Sequence, residues 1–462
     1  MAPTSYNDIL HQDKPREECG VFGISRANQN AASLTFLALH ALQHRGQEAA
    51  GIVTLHEGNL YSHKGLGLVA NVFAESNNLV LPGQTAIGHV RYGTMGGSSF
   101  TNAQPFTARY GNIGVALAHN GTLCRQQPLH NALADKGALF QTTSDTELIL
   151  HMLAQAHATT NEEIAAVLGQ IGAAFSLVML LDDQRLIAAR DPWGFRPLSL
   201  GSLGSGFVVA SETCAFDQLG ATYIRDIEPG EMLVIDKLGF SSYHFNTGTE
   251  SLSQCLLELI YFARPDSIVF GQTPHMMRER SGAALAAQHP VDADIVVAIP
   301  DSGMSAAMGY ATAMGIPHER GLIRNHYVGR SFILPGHEAR ATAVRMKHNI
   351  VRSVVEGKRV CLVDDSLIRG TTTASLNKAL REAGAKEVHL RIASPPTRFA
   401  CPYGVDFPST EELMAHKHSV EEIRTILGMD SIGYLSIEGL TGVCKGGSGS
   451  YCSACWSGEY RA

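Results

Sequence analysis

Residues 359–375 read RVCLVDDSLIRGTTTAS, and the fold of the second half of the chain is read outward from them. Val360 to Val363 is a short apolar run that fits a buried strand. Two carboxylates come next, Asp364 and Asp365, then a polar turn through Arg369 and Gly370 and three threonines, Thr371 to Thr373. An alanine-rich helical pattern runs from Ala374 to the Ala383-Gly384 stop. Strand, loop, helix in that order puts the loop at the carboxyl end of the strand, where open α/β sheets hold their ligands. Backbone N–H groups and threonine hydroxyls at a helix N-terminus bind phosphate. Paired acids just before them cannot, but they suit sugar hydroxyls or a metal ion that phosphates share. A plain strand-to-helix turn with a capping Asp and Thr is the competing explanation. No lysine follows the glycine, so the stretch is not a Walker A loop.

Paired acids, a short spacer and Gly-Thr-Thr at a strand end resemble the phosphoribosyl-pyrophosphate (PRPP) motif of type I phosphoribosyltransferases. The resemblance implies that Asp364, Asp365, Arg369, Gly370, Thr371 and Thr372 bind PRPP. Upstream, the run from Ala293 to Pro300 reads as a parallel-sheet strand ending in Asp301-Ser302-Gly303. Alone, that ending is an ordinary turn; beside the later motif it resembles the pyrophosphate loop of the same family. Asp301, Ser302 and Gly303 then join the PRPP contacts, with Ser302, Asp364 and Asp365 around one magnesium ion. Residues 324–350 are basic, with Arg324, Arg330, Arg340, Arg345 and Lys347, and Tyr327 and Phe332 lie among them. A solvated loop has the same composition, but next to a phosphate-rich substrate a lid that closes and excludes water is the better reading. His326 stands where that family usually carries a second arginine.

At 462 residues the chain is long enough for about two or three domains with proper cores. With 17% charged residues and a net charge of −7, nothing marks a nucleic-acid surface. The longest strand-like run, Phe175 to Leu181, is core rather than a membrane span. Residues 1–18 hold Asp8, Asp13, Lys14, Arg16, Glu17 and Glu18 with no apolar segment, which argues against a secretory signal. A soluble cytoplasmic protein without membrane or nucleic-acid partners is expected. Nine scattered cysteines are too few for a disulfide scaffold. No internal repeat is found, and Gly446 to Ser450 is the low-complexity piece.

After the polar tail the sequence changes character at Cys19-Gly20-Val21-Phe22-Gly23-Ile24. A cysteine that opens an apolar strand is commonly a core thiol, but four polar blocks downstream of it point elsewhere. The run Leu42 to Gly51 (LQHRGQEAAG) is polar and glycine-punctuated in a way that packing does not require. Gly88 to Thr94 (GHVRYGT), Ala118 to Leu123 (AHNGTL) and Thr143 to Glu147 (TSDTE) each set polar groups at the end of a strand-like segment. Together they resemble the N-terminal-nucleophile glutaminase domain of class II amidotransferases, from Cys19 to about residue 245. The resemblance implies that Cys19 is the first residue of the mature chain, with residues 1–18 removed as a propeptide. A thiol of pKa about 8.5 needs a base, and a free α-amino group near 7.7 supplies one. It also implies an oxyanion hole from Asn120 and Gly121, a grip on the glutamine carboxylate by Arg91, and a hold on its ammonium by Asp145. Taken singly, Asn120-Gly121 is a hairpin-turn signal and Asp145 a helix cap. Residues 190–197 and Ser211-Glu212-Thr213 match later blocks of the domain and are read as structural.

Residues 246–254 are polar and turn-rich and read as a domain boundary. Near the end, Cys452 and Cys455 form a CxxC, and Cys255 and Cys401 lie far away in sequence. By spacing alone zinc, a [4Fe–4S] cluster and a redox pair fit equally; Cys124, Cys214, Cys361 and Cys444 read as core thiols. Glutaminase then phosphoribosyltransferase closely resembles the glutamine phosphoribosylpyrophosphate amidotransferase family, in its branch with a propeptide and an iron–sulfur cluster. That implies a cluster on Cys255, Cys401, Cys452 and Cys455. The implied fold is an αββα glutaminase sandwich over residues 19–250, then an α/β type I phosphoribosyltransferase domain with a central parallel sheet over 251–462. The implied reaction makes 5-phosphoribosylamine, glutamate and pyrophosphate from glutamine, PRPP and water. A homo-oligomer (tetramer or dimer) inhibited by purine nucleotides is implied as well. Two alternatives are a glucosamine-phosphate-forming amidotransferase, which needs a sugar-isomerase second domain, and a PRPP-sensing regulator, which leaves Cys19 unexplained.

Overall fold

The computed structural model describes residues 19–74, 81–92, 99–123, 126–245, 252–325, 348–407 and 409–461. The expected propeptide, the boundary at residue 250, Cys124 and the lid from His326 to Lys347 lie outside the described residues.

Two antiparallel sheets face each other in the first half. Their strands are β1 (Gly20–Ser25), β2 (Ala49–His56), β3 (Asn59–Leu66), β4 (Thr85–Arg91), β5 (Phe106–Tyr110), β6 (Ile113–Leu123), β7 (Ala173–Leu181), β8 (Leu186–Arg190), β9 (Ser199–Leu203), β10 (Gly206–Ala210), β11 (Thr222–Asp226), β12 (Glu231–Asp236) and β13 (Gly239–His244). One sheet runs β11-β9-β10-β1-β4-β2-β3 and the other β13-β12-β8-β7-β6-β5. The two-residue period of a strand sorts its side chains into layers. On β1, Phe22 and Ile24 join a core with Leu34, Ala38 and Leu39 of the helix Ala31–Ala41. Val21 instead enters the core between the sheets, with Ala118, Val178 and Val209. On β7, Phe175, Leu177 and Met179 pack under the helices Thr146–Gln155 and Asn161–Leu168, while Val178 and Leu180 face inward. Helices cover both outer faces, so these strands read as continuous apolar runs rather than alternations. The result is the expected αββα sandwich.

The second half adds β14 (Gln254–Cys255), β15 (Ile295–Ala298), β16 (Leu322–Arg324), β17 (His348–Ile350), β18 (Arg359–Asp364), β19 (Glu387–Ile392), β20 (Ser431–Tyr434) and β21 (Tyr451–Cys452). Its central sheet is parallel, in the order β15-β18-β19-β20. Ile295, Val297, Val360 and Leu362 pack with Leu376 and Leu380 of the helix Thr371–Glu382 and with Ile423 and Leu427 of the helix Val420–Leu427. Val296, Ala298, Cys361 and Val363 go to the other face, with Met277 and Leu285 of Pro274–Gln288 and Ala306 and Tyr310 of Met304–Met314. The helix after the paired acids starts at Thr371, earlier than its alanine pattern suggests, because Gly370 serves as its N-cap. The threonines are therefore its first turn, where backbone N–H groups lack intrahelical partners.

Candidate functional site

Cys19 stands half-buried at the head of β1, its Sγ 3.7 Å from the Tyr92 carbonyl oxygen. Gly20 pairs with Val90, which brings the end of β4, and with it Arg91, beside the nucleophile. Arg91 is buried, with Nη1 3.6 Å from Glu48 Oε2. Asn120 and Gly121 lie within β6, opposite Ser176 and Phe175 of β7, and form no hairpin turn. Gly121 has φ of +138°, and a Cβ there would stand 2.0 Å from the Ala174 carbonyl oxygen. Asn120 is fully buried, and neither its amide nitrogen nor its amide oxygen has a hydrogen-bond partner among the described residues. A buried polar group left open costs about 1–3 kcal/mol, so such an amide marks a place where a ligand belongs.

The same corner holds two buried imidazoles. His89 donates through Nε2 to the His119 carbonyl oxygen at 3.2 Å, and His119 Nδ1 lies 3.2 Å from Thr146 Oγ1. Burial pulls His89 down to about 3 and lowers His119 as well, so both rings stay neutral near neutral pH. Asp145 sits at the N-cap position of the helix Thr146–Gln155 yet makes no capping bond. Its Oδ2 accepts from the Leu123 N–H at 2.9 Å and from Gln126 Nε2 at 3.3 Å, and its Oδ1 lies 3.8 Å from His119 Nδ1. The helix-cap explanation of Asp145 therefore fails on geometry.

A cavity of about 380 Å³ opens at the carboxyl end of the parallel sheet. Asp301, Ser302, Asp364 and Thr372 line it, together with Thr373, Arg278 and Arg324. Gly303 presses the Asp301 turn onto the sheet: a Cβ there would stand 2.7 Å from the Val363 carbonyl oxygen and 3.2 Å from Asp364 Cα. Asp364 and Asp365 are both buried, and Ser366 Oγ donates to Asp365 Oδ1 at 2.5 Å. Arg369 reaches Glu412, to which its Nε donates at 2.6 Å, and Arg324 donates to Asp301 Oδ2 at 2.6 Å. Arg278 is a member of this site that motif reading misses; burial pulls it down to about 10 although Asp365 pulls the other way. Nothing in the local sequence of its helix singles it out. Among the described residues no group of three or more His, Cys, Asp or Glu side chains is arranged around one metal ion. Magnesium typically takes one or two carboxylates and completes its shell with water and substrate phosphate, and Asp364 beside Ser302 fits that pattern.

From the first half, His44 and Gln47 line the same cavity. Between them and Cys19 lies Arg45, which is almost fully buried. Its Nε donates to the Cys19 carbonyl oxygen at 3.2 Å, its Nη1 to Glu212 Oε1 at 2.6 Å, and its Nη1 and Nη2 to Glu258 at 2.9 and 2.7 Å. A smaller pocket in the same seam is lined by Cys255, Cys401, Cys452 and Cys455, with Phe195, Arg196 and Tyr403. Parallel pairing of β14 with β21 sets Cys255 opposite Cys452, and the Tyr403 N–H donates to Cys401 Sγ at 3.4 Å. No disulfide joins the described cysteines. Burial, and then the other three thiols, push Cys455 well above the usual thiol range. The four thiols line one apolar pocket, a soft donor set that zinc and an iron–sulfur group both accept, although the described side chains are not already closed around a metal position. Cys214, Cys361 and Cys444 are buried core thiols, as expected.

Residues 92–218 match the family model of a glutamine amidotransferase domain. The chain is 50% identical over 463 aligned residues to amidophosphoribosyltransferase 1, chloroplastic, of Arabidopsis thaliana, covering 99% of this chain and 81% of that one. It is 48% identical to the amidophosphoribosyltransferase of Bacillus subtilis, with 96% and 94% covered. The solved structure of glutamine PRPP amidotransferase from B. subtilis complexed with ADP and GMP superposes with a TM-score of 0.90 at 46% identity, covering 96% of this chain and 97% of that one.

Proposed function

The chain belongs to the amidophosphoribosyltransferase family, and from that premise we propose how its own residues divide the work between two linked sites. The reaction converts glutamine, PRPP and water to 5-phosphoribosylamine, glutamate and pyrophosphate, the first step of purine synthesis. In the first site Cys19 Sγ attacks the glutamine side-chain amide once residues 1–18 are gone and its α-amino group is free to act as base. Asn120 and the Gly121 N–H hold the oxyanion; Arg91 and Asp145 hold the substrate's α-carboxylate and α-ammonium. Collapse of the tetrahedral intermediate releases ammonia and leaves a glutamyl thioester, which water hydrolyses.

In the second site the first turn at Thr371 to Thr373 orients the ribose phosphate, and Asp364 and Asp365, with Ser302, would hold magnesium. When bound, magnesium neutralises the leaving pyrophosphate. Ammonia displaces that group at C1 with inversion. The observation carrying the linkage is the cavity that His44 and Gln47 of the first half share with Asp301, Ser302 and Asp364 of the second, and ammonia from Cys19 passes to C1 of PRPP through this shared seam.

Cys255, Cys401, Cys452 and Cys455 would hold a [4Fe–4S] cluster, which supplies cross-linking of the seam rather than chemistry. We place the enzyme in the cytoplasm as a homo-oligomer, a reading that rests on the family alone. The B. subtilis relative's complex with ADP and GMP supports inhibition by purine nucleotides. No helix among the described residues is long and apolar enough to cross a membrane. Intact mass of anaerobically purified protein, with iron and sulfide analysis, tests the assignment. Loss of residues 1–18 with about four irons per chain is expected on four-thiolate cluster ligation. A full-length active chain, or one binding a single zinc, overturns the processed nucleophile or the cluster respectively.

A further inference from the structure

We infer that Glu258, which belongs to the phosphoribosyl half of the chain, is a positioning residue for glutamine hydrolysis in the other half. The inference rests on Cys19 being the nucleophile. Arg45 both bonds the Cys19 carbonyl oxygen and crosses the seam, and Glu258 holds it with both carboxylate oxygens, at 2.9 and 2.7 Å. Both side chains are 1% exposed or less. That bidentate fork fixes the plane of the guanidinium, and with it the direction of the Nε–H that anchors Cys19. Glu212 completes the grip from the first half, and its Oε2 accepts the Arg264 N–H at 2.9 Å and the Ser267 hydroxyl at 2.8 Å. Arg196 balances the charge, with Nη1 3.7 Å from Glu258 Oε1. Arg45, Arg196, Glu212 and Glu258 are thus buried together in the seam, with His44 Nε2 2.8 Å from Glu212 Oε1, and the residue bearing the nucleophile is bonded to this cluster. The nucleophile is fully assembled only on a docked phosphoribosyl half.

The full-length protein is assayed in two ways: glutamate released from glutamine in the presence of PRPP, and pyrophosphate released from PRPP with ammonium chloride replacing glutamine. For Glu258→Gln the kcat for glutamine is expected to fall about 10²-fold, the scale of a displacement of about 1 Å at a reacting group. The KM for glutamine stays close to the parent's, and the ammonia-driven rate is retained. Arg45→Lys keeps the charge but cannot reach the carbonyl and both carboxylates at once, so it shows the same split. An unchanged kcat for glutamine overturns the inference, and so does a parallel fall in both assays, which a merely structural carboxylate would give. If Glu258→Gln fails to fold, Arg45→Lys decides by the same two readouts; if neither folds, the carboxylate is a folding element and the inference is lost. A parent protein that releases no glutamate defeats the assignment of Cys19, whereas an active parent with indifferent variants defeats this inference alone.

Discussion

At Asn120, function and stability pull in opposite directions. Its amide is fully buried with no hydrogen-bond partner among the described residues, so in the resting protein it contributes desolvation cost without a compensating bond. Asn120→Ala removes that cost and the oxyanion donor together. The expected outcome is a kcat for glutamine lower by about 10²–10³, with a melting temperature that does not fall. A stability loss matching an ordinary core truncation, about 2 kcal/mol or more, would mean the amide is bonded and structural. Gly121 behaves differently. Its φ of +138° and the Ala174 carbonyl 2.0 Å from any added Cβ make Gly121→Ala costly by about 2–4 kcal/mol from strain and overpacking. Thermal melts should separate these neighbouring substitutions, one catalytic and one conformational.

The strand–loop–helix unit from β18 to the helix Thr371–Glu382 was the most legible element, because every part of its chemistry is local. The apolar run, the acids and the threonines come one after another within 17 residues, 359–375, and their order alone places them at one end of a sheet. Legibility stopped at side-chain direction. Arg369 turns to Glu412, and Thr373 faces the cavity instead, details that the start of the helix decides. Asp364→Asn preserves shape at a buried position and removes the charge that magnesium would need. Ammonia-driven pyrophosphate release should lose about 10²-fold in kcat/KM for PRPP, with glutamine hydrolysis measured without PRPP unaffected. Equal losses in both would place Asp364 in the structural framework instead.

Across the whole molecule, the seam between the halves could not be read in advance. Arg45 meets Glu212 across 167 residues and Glu258 across 213, and no periodicity or spacing rule reaches that far. The polar run Leu42 to Gly51 signalled that something other than packing was at work; its partners appear only once the sheets are folded. This seam also fixes how the protein responds to acid. Burial pushes Glu212 up, but His44 and Arg45 outweigh it and hold the carboxyl well below its ordinary value of 4.5. Folding therefore releases a proton from Glu212, so its contribution is present above about pH 4.5 and is lost as pH falls from there toward the folded value. Breaking such a buried pair costs about 3–5 kcal/mol, and Glu212→Gln should show that loss at pH 7. Below pH 4 the unfolded parent takes up that proton while the folded one still excludes it, and the gap between the two melting temperatures should narrow. Calorimetry at the two pH values decides: a gap that stays constant would mean that Glu212 contributes shape rather than charge to holding the halves together.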